Sequence, residues 1–467
     1  MAKHVSNSKE TSVMNLNVSA LNAKQKNIYK VSTIINLGFI DKFDRDEWKD
    51  HIEKLLMTTK FDYVRMLIDV EQMSGNIRAY LRKVKSVIDY ILLKGLTPWI
   101  TFRVSTKVSV KDTDEMRLVI EFLKDHLTES LLEKWKFEIE LRSNLVSNEA
   151  VNAFKLVREV ITQELPEVKI GGIGCTVLNA NYINFILKHF EVDFITVKGF
   201  LESPKKGSLN NLNYEFKNFT EKLVNLVKKL GQDKPVFLSE VGIYLKKDNY
   251  LQNTLFAGAY LINQIVKLFP FIAGFGYILG SDIFESDLKV AHRIITAGPG
   301  LLTDIKLEKP SLMAVKFINE FSLVKKFYML HDAFLAGFVD KEIYVLGTNV
   351  QYPLLTLGTN FQDAQNIKSY LPANSENINM RVKDLESGDY EIRIFKCESD
   401  MLDYWSKFDY YESLRNSDID LLRQKDGVSV TLRVAQVKNK VLDVKLPVQA
   451  NNFFIVHIRK KQRVLTE

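Results

Sequence analysis

Residues 194–242 read FITVKGFLESPKKGSLNNLNYEFKNFTEKLVNLVKKLGQDKPVFLSEVG. Two short apolar runs, FITVKG and VFLSEVG, bracket a longer stretch in which Phe216, Phe219, Leu223, Val227 and Leu230 recur at helical period. A run, an amphipathic helix and a second run predict a strand, a crossover helix and a parallel strand. Parallel neighbours need a long connection, and a helix supplies it.

The same texture extends to both sides. Upstream lie TIINLG, YVRMLI, PWITFRV, FEIEL and VKIGGIG; downstream lies GFGYILG. With the first two, the runs make about eight, the number a closed (β/α)₈ barrel needs. Helical patterns fill the gaps. Asp44 and Glu47 have capping spacing before EWKDHIEKLL. Asn148 opens a helix running to about Leu165, and a last helix starts after Pro310. The barrel would close near Gly280.

From about residue 323 the period changes to two: EIYVLGTN, YEIRIF, VSVTLRV, VLDVKLPV and FFIVHIRK. Asp426–Gly427 and Asn439–Lys440 supply turn signals between such runs. The reading is an α/β chain: a polar linker or frayed end over 1–27, a TIM barrel over 28–322, and an all-β sandwich over 323–467. A short helical insertion around Tyr411–Arg423 interrupts the sandwich.

Composition narrows the function classes. With 46% hydrophobic and 26% charged residues, the chain has the profile of a soluble globular protein. A net charge of +7 is small beside 64 basic and 57 acidic side chains, so it argues only weakly for an anionic partner. Two cysteines, Cys175 and Cys397, exclude a disulfide framework and fit a reducing compartment. The N-terminus has no apolar signal segment, and no run is long enough to span a bilayer, so a cytoplasmic protein is expected. The seven histidines form no metal-binding spacing; neither a metal nor a cofactor is expected. RKKQR at 459–463 reads as a solvated basic tail. ESLRNSDIDLLRQKDG suggests a helix-turn-helix only faintly, so no DNA-binding module is read inside this chain.

Five segments resemble glycoside hydrolase family 39. NLGFIDKFDRDEWKDHIEKL resembles the family's first strand and helix, and WKFEIELRSNL its acid/base strand, W-x-F-E-V-W-N-E-P-N-L. LPEVKIGGIGCT with VDFITVKGF resembles its fifth and sixth strands, and KPVFLSEVGI the strand carrying its nucleophile. SDIFE and GPGLLTDIKLEKPSLMAVKFINEF resemble the segment that closes its barrel. The tail YWSKFDYYESLRNSDIDLLRQ is similar to part of its C-terminal sandwich, so the resemblance runs from about residue 30 to 458.

The family's members are retaining glycosidases acting on substrates such as β-xylosides and iduronides. The resemblance therefore implies two carboxyl groups roughly 5–5.5 Å apart, a nucleophile and an acid/base. The nucleophile position falls on Glu240. The acid/base position falls on Arg142, whose guanidinium stays protonated and can be neither acid nor base. Arg142 would stand opposite Glu240 and pair with it. Glu140, two residues earlier on the same face, would lie one side-chain layer deeper, with Glu138 deeper still. Other pocket motifs also depart. R-F-H-G becomes Arg65-Met66-Leu67-Ile68, and S-T-H-A-Y becomes Thr196-Val197-Lys198-Gly199-Phe200. Y-W-T-F-S-D becomes Tyr277-Ile278-Leu279-Gly280-Ser281-Asp282. Arg65, Lys198, Asn144, Tyr277 and Asp282 are the positions that would contact a ligand.

The resemblance extends to degenerate barrels in the C-terminal part of certain AraC-type transcription regulators of Firmicutes. It implies a non-hydrolytic, ligand-sensing domain whose DNA-binding part is not in this chain. Two alternatives stand beside it: a retaining glycosidase with an atypical acid/base, and a purely structural interaction module. The expected partner is a small polar ligand or a sugar, and not a membrane. Nucleic acid would be met only through a domain absent from this chain, and a homodimer remains an open expectation.

Overall fold

The computed structural model describes residues 11–23, 29–40, 46–73, 77–143, 145–174, 178–202, 212–244, 249–284, 295–354, 360, 362–411, 414–425 and 427–461. The first described element is a strand, β1 (Thr11–Ser19), which belongs to the second domain. Then come β2 (Ser32–Phe39), β3 (Tyr63–Asp69), β4 (Thr97–Val104), β5 (Lys136–Leu141), β6 (Lys169–Gly174), β7 (Ile195–Glu202), β8 (Val236–Tyr244) and β9 (Gly274–Tyr277). These eight form one parallel sheet in the order β6-β5-β4-β3-β2-β9-β8-β7. Its two ends meet: Gly172 N–H donates to Phe194 O at 3.1 Å and Asp193 N–H to Ile170 O at 2.9 Å. The sheet is therefore a closed barrel, and each of the eight apolar runs contributes a strand.

The crossovers carry α1 (Glu47–Thr58), α2 (Ile77–Leu93), α3 (Val110–His126), the single turn α4 (Glu129–Leu132), α5 (Asn148–Glu164), α6 (Ala180–His189), α7 (Leu212–Leu230) and α8 (Leu255–Leu268). Beyond β9, β10 (Leu279–Ser281) and β11 (Gly300–Leu302) pair in parallel, and α9 (Pro310–Phe321) follows with proline in its first turn. The α1 cap differs from expectation. Its N-cap is Asp46, which makes no side-chain cap bond, and Asp44 lies outside the described residues. Ser147 caps α5 by accepting from Ala150 N–H.

The outer core is apolar, as helix packing demands: Phe137, Ile139 and Leu141 of β5 join it with Val64, Met66 and Ile68 of β3. The inner face of the same strands is charged, and that contrast positions the site described below.

The second domain contains β12 (Lys326–His331), β13 (Phe334–Val339), β14 (Glu342–Thr348), β15 (Ser375–Lys383), β16 (Gly388–Cys397), α10 (Met401–Trp405), α11 (Asn416–Arg423), β17 (Val428–Val437), β18 (Leu442–Val448) and β19 (Phe453–Lys460). Six strands form one sheet in the order β12-β13-β14-β19-β16-β17, and β1-β15-β18 form a second. The helical insertion therefore has two helices, starting at Met401 rather than near Tyr411. The linker expected over 1–27 does not hold for Thr11–Ser19. This stretch pairs in parallel with β15 over its whole length. Leu16 and Val18 alternate with polar residues, so one face enters the core between the sheets, against Ile378, Met380, Val444 and Phe454. Residues 1–10 and 24–27 of that expected linker lie outside the described residues, as do Cys175 and Asp426. The outer face of the six-stranded sheet leans on the barrel: Phe317 of α9 meets Phe453 of β19 edge-on at 5.7 Å. A Cβ on Gly258 of α8 would stand 2.5 Å from the Phe453 ring, so only glycine allows this approach.

Candidate functional site at the barrel mouth

Alternate residues of β5 point into the barrel: Lys136, Glu138 and Glu140, with Arg142 just past the strand end. Two residues rise about 6.6 Å, so this column crosses the interior in successive layers. The lowest layer is aromatic. Trp99 meets Tyr63, Phe194 and Phe237 edge-on at 5.8, 5.0 and 5.1 Å, and the Lys136 ammonium sits over the Tyr63 ring at 4.5 Å.

Above it lies a fully enclosed guanidinium. Arg65 Nε donates to Glu138 at 2.6 Å, Nη1 to Glu240 at 2.9 Å and Nη2 to Glu140 at 3.1 Å. Burial alone would lower the Arg65 pKa, but Glu138, Glu240 and Glu140 outweigh it and raise it. Glu138 Oε2 also accepts from Thr101 Oγ1 at 2.7 Å and Trp99 Nε1 at 3.1 Å. Gly172 makes room for this carboxylate: its φ is +81°, and a Cβ there would stand 2.3 Å from Glu138 Cγ. Glu140 is met by Lys198 at 3.3 Å and Arg103 at 3.5 Å besides Arg65. Burial alone would raise its carboxyl; Lys198, Arg65 and Arg103 outweigh that and hold it at about 2. The sequence reading places Glu140 one layer below the mouth, and its burial agrees.

Glu240 reaches the interior because of a bulge. Phe237 faces inward with the aromatic layer while Leu238 joins the outer core, so simple alternation would turn Glu240 outward. The ladder with β7 skips Ser239: Val197 pairs with Leu238, and the next pair is Lys198 with Glu240. That extra residue brings Glu240 beside Lys198, at 2.9 Å between Nζ and Oε1. The contact from Arg65 also falls on Oε1. Oε2 takes no hydrogen bond among the described residues, and the side chain keeps 12% exposure. The Lys198 pKa, which burial alone would lower, is raised by Glu140 and Glu240.

Arg142 departs from expectation. It does not pair with Glu240; its Nη2 bonds Asp69 and its Nη1 lies 3.2 Å from Glu71. Asp69 ends β3 and Glu71 lies in the turn after it, so two acids stand beside Arg142 while Glu240 already has two cations. Tyr277 and Asp282 are also corrected. Tyr277 is buried, its hydroxyl donating to Gln252 Oε1 at 2.9 Å and its ring packed against Gly242. Asp282 is enclosed by donors: Lys309 Nζ at 2.8 and 2.9 Å, Thr296 Oγ1 at 2.6 Å, and the N–H groups of Gly298 at 3.2 Å and Gly300 at 2.7 Å. It ties the segment after β10 to α9 and presents nothing to a ligand. Asn144 lies outside the described residues. The structure thus brings Glu240, Arg65 and Lys198 together, seals Arg65, and leaves Arg142 on the rim. Arg103, Asp69 and Glu71 are members that sequence reasoning missed. Polar residues at alternate positions of otherwise apolar strands, as in WITFR and YVRMLID, were the available signal.

No protein-family model matches this sequence, and no curated protein matches it. Solved structures do match. A monomeric β-xylosidase from Caulobacter crescentus CB15 superposes with a TM-score of 0.78 at 14% identity, covering 96% of this chain and 100% of its own. A GH39 enzyme from Xanthomonas axonopodis pv. citri gives 0.77 at 14% identity, covering 97% and 98%. A bacterial orthologue of human α-L-iduronidase gives 0.68 at 10% identity, covering 97% and 85%. At these identities the likeness is one of fold, and this chain has the fold of glycoside hydrolase family 39, barrel and sandwich together.

Proposed function

We propose that this chain is a glycosidase-derived barrel that binds a small polar ligand, a sugar or sugar derivative, without hydrolysing it. In that reading it is the sensing part of an AraC-type transcription regulator, with DNA contacted by a portion outside these 467 residues. The observation that carries it is the state of the carboxylates. Arg142, on which the resemblance puts the acid/base position, is tied to Asp69 and Glu71. Glu140, which shares Arg65 and Lys198 with Glu240, is buried and holds no proton near neutral pH. A general acid must carry a proton at the working pH, and losing one removes about 10²–10⁴ in rate. Glu240, Lys198 and the partly exposed guanidiniums of Arg103 and Arg142 stand together at the C-terminal end of the barrel strands, where a polar ligand could meet them. The sensing role rests on this pairing of a retained mouth with a lost proton donor.

The test uses a dinitrophenyl β-xyloside, whose leaving group needs no acid. The expected result is no turnover and no covalent label. A panel of sugars and sugar acids should contain a compound that raises the melting temperature, with the shift reduced in Lys198→Met. Turnover or labelling that vanishes in Glu240→Gln would make the chain a retaining glycosidase instead. A barrel that neither turns over nor shifts with any of the panel would favour a structural module.

A further inference from the structure

We propose that β17 is a self-pairing edge through which two copies of this chain join their six-stranded sheets into one. β17 pairs with β16 in unbroken register, from Val428 opposite Cys397 to Val437 opposite Gly388, and no described strand covers its other side. At ten residues it is long for an edge, and every second residue turns its N–H and C=O toward the uncovered side. On the face turned away from the sandwich core, Val430, Leu432 and Val434 are 63, 61 and 54% exposed.

Two other edges, β12 and β18, carry protection that β17 lacks. β12 begins with exposed Lys326 and breaks register between Met329 and His331. β18 reads LDVKLPV, with Asp443, Lys445 and Pro447 on its outward face. β1 has no charge, bulge or proline, and its outward residues are Val13, Asn15 and Asn17, fewer apolar side chains than β17 exposes. Charges, bulges and prolines on edges are the usual means of preventing strand addition. β17 has no proline, no bulge and one charge, Arg433, which reaches back to donate to Lys445 O at 3.4 Å.

The occupant is a second copy because the strand complements itself. A two-fold axis perpendicular to the sheet keeps faces matched, and centring it on Leu432 sets Leu432 opposite Leu432, Val430 opposite Val434 and Val434 opposite Val430. On the other face Arg433 meets Thr431, so no like charges oppose each other. A shift that centres the axis on Arg433 would oppose two guanidiniums and is disfavoured.

Sedimentation velocity of the full chain over a dilution series tests this. The wild type should show a reversible dimer. Leu432→Lys sets two ammonium groups face to face and should raise the dissociation constant by about a hundredfold or more. Met57→Lys on α1, at a position 81% exposed, should leave it unchanged. Circular dichroism of Leu432→Lys should match the wild type, which separates lost pairing from lost folding. Leu432→Cys should form an inter-chain disulfide on mild oxidation, while Met57→Cys should not. A wild type that stays monomeric at every concentration, or that gains mass only with some other protein, overturns the proposal. So does a dimer indifferent to Leu432→Lys. The ligand reading is separate: a monomer that still binds a sugar would sink this inference and leave that one standing.

Discussion

Two lysines are buried inside the same barrel, and their surroundings treat them in opposite ways. Lys136, at the N-terminal end of β5, is boxed by aromatic rings, with its ammonium 4.5 to 5.8 Å from the centroids of Tyr63, Phe237, Trp99 and Phe194. Its hydrogen bond goes to the Tyr63 hydroxyl at 3.0 Å. Burial, with a smaller push from Lys169, lowers its pKa to about 8. Lys198, two layers higher, sits between Glu140 and Glu240, and its pKa is raised. Burial disfavours both cations; the counter-charges decide the sign. The closed end of the barrel holds a cation by ring quadrupoles and is a plug. At the other end the described charges Arg65, Glu140, Lys198 and Glu240 are each held by opposite ones, and the Glu240 side chain keeps a little exposure.

The largest test of this contrast is Arg65→Met. It leaves Glu138, Glu140 and Glu240 without their common donor, and the fold should lose about 3–5 kcal/mol in thermal or urea unfolding. A variant as stable as the wild type would mean that the charged layers are not held by ion pairing. Glu140→Gln should cost about 2–3 kcal/mol near neutral pH. Because the folded pKa of Glu140 is depressed to about 2, its stabilisation is present above the unfolded value near 4.5 and is lost as pH falls toward 2. The acid limb of a stability–pH curve should therefore be flatter in the variant, and identical limbs would contradict the assignment. Lys136→Met sharpens the comparison from the other end. Below about pH 8 both states carry the proton and the fold bears the cost of burying it. Between there and the unfolded value near 10.5 the unfolded chain binds the extra proton, so stability rises with pH. The wild type should gain on the order of 1–2 kcal/mol over that window, and Lys136→Met should gain none. Parallel curves would place the titration elsewhere.

Much of the barrel was legible because its strands are short apolar runs and its helices carry a clear 3.6-residue period. β1 was not assigned, although MNLNVS alternates plainly, because a lone strand gives no sign of its partner when that partner lies hundreds of residues away. Glu240 and Lys198 were marked as candidate site positions through the resemblance. The bulge at Ser239 that brings them together was not, since an extra residue in one strand changes no composition and no period. Arg142 was found, but its direction was misjudged. Strand position says which layer a guanidinium starts from, while its reach is settled by whichever acids are still unpaired, here Asp69 and Glu71.

The pairing of β1 with β15 also has a consequence in time. Ser12 and its partner Glu376 are 364 residues apart. At the usual pace of synthesis, about 5–20 residues per second, roughly 20–70 s separate the appearance of one strand from that of the other. The barrel can be assembled in that interval, but the sandwich cannot, so β1, made before the barrel, is among the last of the described strands to find its sheet. Until then Leu16 and Val18 are open to water and to other chains, which makes the β1 segment of the nascent chain a natural point for chaperone capture.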